Sequence, residues 1–165
     1  MMRKFWLALL ILTASSGAAG AAATDLQVGQ AFGAWVFQCS AVGQDKTLCA
    51  FRTTVVSADT KQIVVDLRIA RPDPKADYIM SAILPLGLNI QAGVKTAVDG
   101  VDSTDLLLRA CFAKGCIATA DLAEATVQSL TSGKDLSLKF DMSGKTITAT
   151  MKLEGLNDAL AAAKW

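Results

Sequence analysis

Four cysteines, Cys39, Cys49, Cys111 and Cys116, stand in two close pairs, and the segment ahead of them decides how they are read. Residues 1–23 carry the three parts of a secretory signal. Arg3-Lys4 supply the positive end, Phe5 to Leu12 the apolar run, and Ala19-Gly-Ala21 and Ala21-Ala-Ala23 the small-residue cleavage sites. A membrane-spanning helix needs about 20 apolar residues, so this shorter run reads as a signal that is removed. No cysteine follows the cleavage region to take a lipid, and no arginine pair marks a twin-arginine route. The expectation is a mature chain beginning at Ala22 or Thr24, with residues 24–165 forming one disulfide-stapled domain in an oxidising compartment.

Four thiols allow three pairings, and zinc binding or redox exchange are the competing uses. The two spacings together are not the paired C-x₂₋₄-C of zinc ribbons, and four residues rather than two separate Cys111 from Cys116. Alternation favours two local bridges instead. Trp35, Phe37 and Cys39 share one parity, and Cys49, Phe51, Thr53 and Val55 share a face on the return. A hairpin centred near Gln44 sets Cys39 opposite Cys49 and Phe37 opposite Phe51. In the second pair, Lys114-Gly115 supply a turn across which Cys111 and Cys116 meet. Unstrained, each small loop gains about 2–3 kcal/mol from closure.

The rest of the chain reads mainly as strand. Residues 62–71 alternate Ile63, Val65, Leu67 and Ile69 against Val64, Asp66, Arg68 and Ala70, a half-buried strand with a polar outer face. Pro72 and Pro74 then break regular structure. The exposed loop they define, with Arg71, Asp73, Lys75 and Asp77, is the candidate partner-contact site. Tyr78 to Leu84 form a strand, Pro85 and Gly87 interrupt it, and Leu88, Ile90, Val94 and Val98 continue in short β segments. A strand from Leu106 leads into Cys111, and Ile117 to Thr119 lead out of Cys116. Asp121 is positioned as the N-cap of a helix running through Leu122, Ala125, Thr126, Ser129 and Leu130 to Gly133. Leu136, Leu138, Phe140 and Met142 alternate up to Ser143-Gly144, and Ile147, Ala149, Met151 and Leu153 alternate back, a second plain hairpin. Leu156, Ala159, Leu160 and Ala163 mark a short closing helix.

This pattern predicts a mainly β fold, an antiparallel β-sandwich or flattened barrel of roughly eight to ten strands with one or two short helices. A transmembrane barrel would want aromatic girdles, and beyond residue 23 the chain has only Trp35, Trp165 and Tyr78 among its tryptophans and tyrosines. Without Arg3 and Lys4 the net charge is −1, which gives no electrostatic reason to seek nucleic acid. The chain has no histidine, so the usual neutral-pH proton shuttle and commonest metal ligand are missing. Asp99, Asp102 and Asp105 invite a calcium reading, but they lack the EF-hand loop pattern, and Asp99-Gly100 is an ordinary hairpin turn. No metal or other cofactor is expected. For an enzyme, the candidate groups are Asp66 beside Arg68 and the aspartates at 99–105.

The ordered set Phe32-Gly-Ala-Trp35, Cys39, Cys49, Leu84-Pro-Leu-Gly-Leu-Asn-Ile-Gln-Ala-Gly-Val94, Cys111-Phe-Ala-Lys-Gly-Cys-Ile-Ala118 and Lys152-Leu-Glu-Gly-Leu-Asn-Asp-Ala-Leu160 resembles the invasion-associated locus B proteins of Gram-negative bacteria. The resemblance implies an exported, disulfide-bonded β-protein of the periplasm or outer surface, in a family associated with entry into host red cells. It supplies no catalytic residues. The functional expectation is a non-enzymatic binding or adhesion protein with a protein or envelope partner, including peripheral association with the outer membrane. A periplasmic chaperone or stress factor is the runner-up, and a carboxylate-dependent hydrolase stands third.

Overall fold

A computed structural model describes residues 25–163 apart from 43 and 45; the expected signal, residues 1–23, lies outside them. The chain runs β1 (Ala31–Phe32), β2 (Trp35–Ala41), β3 (Thr47–Val56), β4 (Ile63–Ala70), β5 (Tyr78–Leu84), β6 (Val94–Val98), β7 (Val101–Asp102), β8 (Leu107–Phe112) and β9 (Gly115–Leu122), then α1 (Glu124–Ser132), β10 (Asp135–Met142), β11 (Lys145–Lys152) and α2 (Leu156–Ala162). Every pairing is antiparallel. One sheet has the order β1-β2-β3-β4-β5-β9-β8 and curls as a half-barrel, and the other has the order β11-β10-β6-β7. This is the mainly β, two-helix architecture expected from the alternating pattern.

The core is built from one parity of each long strand. Phe51, Val65, Leu67, Ile69, Met80, Ala82 and Ala118 from the larger sheet meet Leu136, Leu138, Phe140 and Met151 from the smaller, all essentially out of water. Burying each large side chain there contributes about 1.5–3 kcal/mol. Phe51 is held by two aromatic neighbours, edge-on to Phe32 at 5.7 Å and tilted against Phe37 at 5.4 Å. Three crossings join the sheets, one of them the short segment 103–106 between β7 and β8. The segment 85–93 carries the chain from β5 to β6, and α1, with Leu130 buried, carries it from β9 to β10.

Three local expectations are corrected. Asp121 is not a helix cap: Asp121 and Leu122 pair with Ile79 and Tyr78 at the end of β9, and α1 starts three residues later behind Ala123. Pairing to a central strand satisfies those backbone groups better than one capped helical turn would. Ile90 lies in a turn, because only Leu88 reaches a bridge partner, Met142. The turn between the second pair of cysteines is Ala113-Lys114, with Gly115 already in β9 opposite Phe112.

The β1–β2 turn and the start of α2 are tied by backbone contact. Gly33 and Gly155 both have positive φ, 55° and 85°, and a Cβ at Gly33 would lie 2.4 Å from the Glu154 carbonyl oxygen. A Cβ at Gly155 would lie 2.2 Å from the Phe32 carbonyl oxygen. Glycine is the residue that allows both the left-handed backbone and the close approach. The segments around Trp35 and Leu156, distant in sequence, are therefore one structural unit.

All four sheet edges are blunted against pairing with other chains. β1 and β7 are two residues long. β11 has lysines at both ends, Lys145 and Lys152. β8 carries a bulge between Leu108 and Ala110 with Arg109 at it. Short strands, lysines and bulges are the devices by which natural sheets avoid edge-to-edge association.

Candidate interaction site

The two cysteine pairs are bonded as Cys39–Cys49 and Cys111–Cys116, and no described cysteine is free. In the first hairpin, Cys39 pairs with Cys49 in register and Phe37 with Phe51. In the second, Cys111 pairs with Cys116. Each bridge fixes the strands on which other side chains sit.

The loop Arg71 to Asp77 is tied to itself. Arg71 Nε donates to the Ala76 carbonyl at 2.8 Å, and its guanidinium lies 5.0 Å from the Tyr78 ring centroid. Asp73 Oδ1 accepts from the Lys75 amide at 2.8 Å, and the Ala76 amide donates to the Asp73 carbonyl. Asp73, Lys75 and Asp77 are exposed, and Arg71 is half-buried. Of the four residues singled out from sequence, Arg71 is therefore engaged inside the loop, and the other three face water.

Two of the aspartates at 99–105, Asp99 and Asp105, are separately employed. Asp99 accepts from the backbone amides of Lys134 and Asp135, at 3.1 and 2.9 Å, and these bonds hold its carboxyl below the usual carboxylate range. Asp105 is ion-paired with Lys95. Asp99 and Gly100 form the turn between β6 and β7, both with positive φ. Among the described residues no three His, Cys, Asp or Glu side chains converge.

Asp66 is the most enclosed carboxylate of the larger sheet, and it is held by two arginines. Arg52 grips it in a fork, Nε to Oδ1 at 2.8 Å and Nη2 to Oδ2 at 3.1 Å, while Arg68 Nη2 reaches Oδ2 at 3.0 Å. The register explains why it is needed. Arg52 and Arg68 lie directly opposite each other on β3 and β4, and like charges so placed repel. Asp66, one pleat away on the same face, neutralises that repulsion. Its hydrogen bond raises the Arg52 pKa above the usual arginine value. Asp66 is thus the centre of an ion triad, with both carboxylate oxygens engaged.

This triad marks the outer face of the half-barrel, opposite the core. Pairing runs Val36, Arg52, Arg68, Ser81, Thr119 across β2, β3, β4, β5 and β9. Arg109 of β8 closes the row, its Nε donating to Thr119 Oγ1 at 2.8 Å. Strands lie about 4.8 Å apart, so the row across six strands spans about 24 Å. Three guanidiniums and two hydroxyls stand among the half-buried aliphatics Val36, Ile79, Ile83 and Ile117. Amphipathic guanidiniums beside aliphatic side chains are characteristic of protein interfaces. Sequence alternation placed Arg68 outward and set Arg109 in step with Leu107; the bulge shifts the register of β8 from Ala110 onward.

These features define a class: an antiparallel two-sheet domain with two disulfide-closed hairpins and an ion-paired, half-open outer sheet face. The chain belongs to the invasion associated locus B (IalB) protein family, whose model matches residues 35–164. It is similar in fold to the crystal structure of invasion associated protein b from Bartonella henselae. The TM-score is 0.69 at 21% sequence identity, over 80% of this chain and 91% of that one. No curated protein matches the chain.

Proposed function

We propose that this protein is an exported, non-enzymatic binding protein of the bacterial envelope or outer surface that meets a protein partner through the outer face of its seven-stranded sheet. Removal of residues 1–23 as a signal and oxidation of both cysteine pairs outside the cytoplasm are part of this reading. The observation that carries it is the row from Val36 to Arg109, where charge, hydroxyl and aliphatic surface are interleaved on a rigid sheet. The family name and the Bartonella protein's description point the adhesion towards host-cell invasion. Asp66 supports a non-catalytic role, because a carboxylate gripped by two guanidiniums is a poor general base.

A photo-crosslinking residue in place of Ser81, at the middle of the row, tests the reading, with Thr148 on the smaller sheet as control. Exposed to intact host cells and to envelope preparations, the Ser81 position is expected to capture one discrete partner, and the Thr148 position none. Equal capture from both positions, or none from Ser81, overturns the assignment of this face.

A further inference from the structure

Nine large hydrophobic side chains are exposed among the described residues, and five of them gather at one end of the molecule. Val56 and Ile63 close the β3–β4 turn and pair with each other. Ile83 pairs with Asp66, which sets the end of β5 beside the start of β4, so Leu86 follows onto the same end. Leu84 pairs with Cys116 and Gly115 with Phe112, which brings the stapled turn alongside. Ile90 completes the set on segment 85–93. That segment is zipped to the β10–β11 turn by Ser143 N to Gly87 O at 3.2 Å and Asn89 N to Asp141 O at 2.8 Å. These five are between 49% and 67% exposed, whereas Val28, Val42, Val101 and Leu107 are spread over other parts of the surface.

Cations alternate with the apolar groups at the same end. Lys61 lies in the β3–β4 turn, Lys114 in the stapled turn and Lys145 at the start of β11, all exposed. Among the described residues none of the three forms an ion pair. The acidic groups nearby are Asp59, exposed in the β3–β4 turn, and Asp141, which accepts from the Thr146 hydroxyl at 2.7 Å.

We infer that this end is a docking tip for an anionic phospholipid surface, a role separate from that of the outer sheet face. The apolar groups stand on separate projections, the β3–β4 turn, segment 85–93 and the stapled turn, with lysines between them rather than in one groove. A bilayer interface accepts such separate insertions, whereas a protein partner would have to supply a matching pocket for each. Apolar insertion and lysine attraction to anionic headgroups reinforce each other. The Cys111–Cys116 bridge and the zipped segment hold Phe112, Leu86 and Ile90 in place before contact, which lowers the ordering cost of docking.

The test is flotation of the oxidised chain from residue 24 onward with phosphatidylcholine vesicles, with and without phosphatidylglycerol. Binding is expected only to the vesicles containing phosphatidylglycerol, and it should weaken as salt rises. The triple variant Leu86→Ser/Ile90→Ser/Phe112→Ser, and separately Lys61→Glu/Lys114→Glu/Lys145→Glu, should each reduce binding by roughly tenfold or more. Val42→Ser, outside this end, should leave it unchanged. Unaltered melting curves establish that the variants are folded. Absent binding, equal binding to both vesicle types, or variants that bind like the parent chain overturn the proposal. So does sedimentation showing that the apolar triple instead breaks a self-associated dimer, which would make the tip a contact between copies. None of these results depends on the crosslinking at Ser81.

Discussion

The two stapled hairpins use the same bond for different ends. In β2–β3, the strands already bury Trp35, Phe37 and Phe51, and Cys39 and Cys49 pack against that core. Packing fixes the register there, and the bridge reinforces it. In β8–β9, the outer strand buries almost nothing: Leu108 is half-buried and the other five residues of β8 are exposed. A strand with so little apolar burial is held by its ladder and its covalent tie. The first disulfide therefore belongs to the global fold, and the second to the local order of an edge and of the tip beside it.

The largest contrast is expected between the aromatic rings of the two hairpins. Phe51→Ala should cost about 3–5 kcal/mol by denaturant unfolding, because it empties the centre of the core. Phe112→Ala should change stability by less than about 0.5 kcal/mol. Comparable losses from both would end the distinction between the hairpins.

The bridges come next. Replacing Cys39 and Cys49 together by alanine should cost about 3 kcal/mol, of which loop closure over a separation of 10 accounts for most. Replacing Cys111 and Cys116 together should cost about 2 kcal/mol or less, for a separation of 5. The sharper readout is hydrogen exchange. Loss of the second bridge should abolish amide protection across β8 while β3 and β4 stay protected, whereas loss of the first should lower protection throughout the larger sheet.

Smaller effects come from the charges. Asp66→Asn leaves Arg52 and Arg68 opposed without a carboxylate between them, and should cost about 1–2 kcal/mol after allowance for the partial exposure of both arginines. Charge-neutral Arg68→Gln in the same background should restore part of that loss, as measured by a double-mutant cycle.

The smallest effect is at Asp99. Its folded pKa lies below the ordinary 3.8, so its contribution is present above that pH and is lost as pH falls through the folded value. Asp99→Asn should lower the melting temperature slightly near neutrality, and the difference should vanish well below pH 3.8.

The contrast between the hairpins also marks what the residues disclose by themselves. Trp35, Phe37, Phe51 and Val55 alternate so regularly that the first hairpin's register, down to Phe37 opposite Phe51, is legible without coordinates. Leu136 to Leu153 are equally plain, with Leu138 opposite Ala149 and Phe140 opposite Ile147. Local pairing leaves a period-two trace. Non-local pairing leaves none, so nothing in Tyr78 to Leu84 announces β9 as its neighbour. For that reason the row that joins Arg68, Ser81, Thr119 and Arg109 appears only in the fold. The end that gathers Ile63, Leu86 and Phe112 is hidden for the same reason. Asp121 and Leu122 show the limit from the other side. Their helical spacing is real, but a vacant place beside β5 claims them first. The loop Arg71 to Asp77 stood out for its prolines and charges, yet its hydrogen bonds turn Arg71 inward.

Peptide mapping of the native, unreduced protein recovered from the envelope or medium is the most direct measurement of all. The account requires an N-terminus near residues 22–24 and two linked peptides, one joining Cys39 to Cys49 and the other Cys111 to Cys116. Four free thiols, an intact leader, or a link between Cys39 and either Cys111 or Cys116 would contradict it.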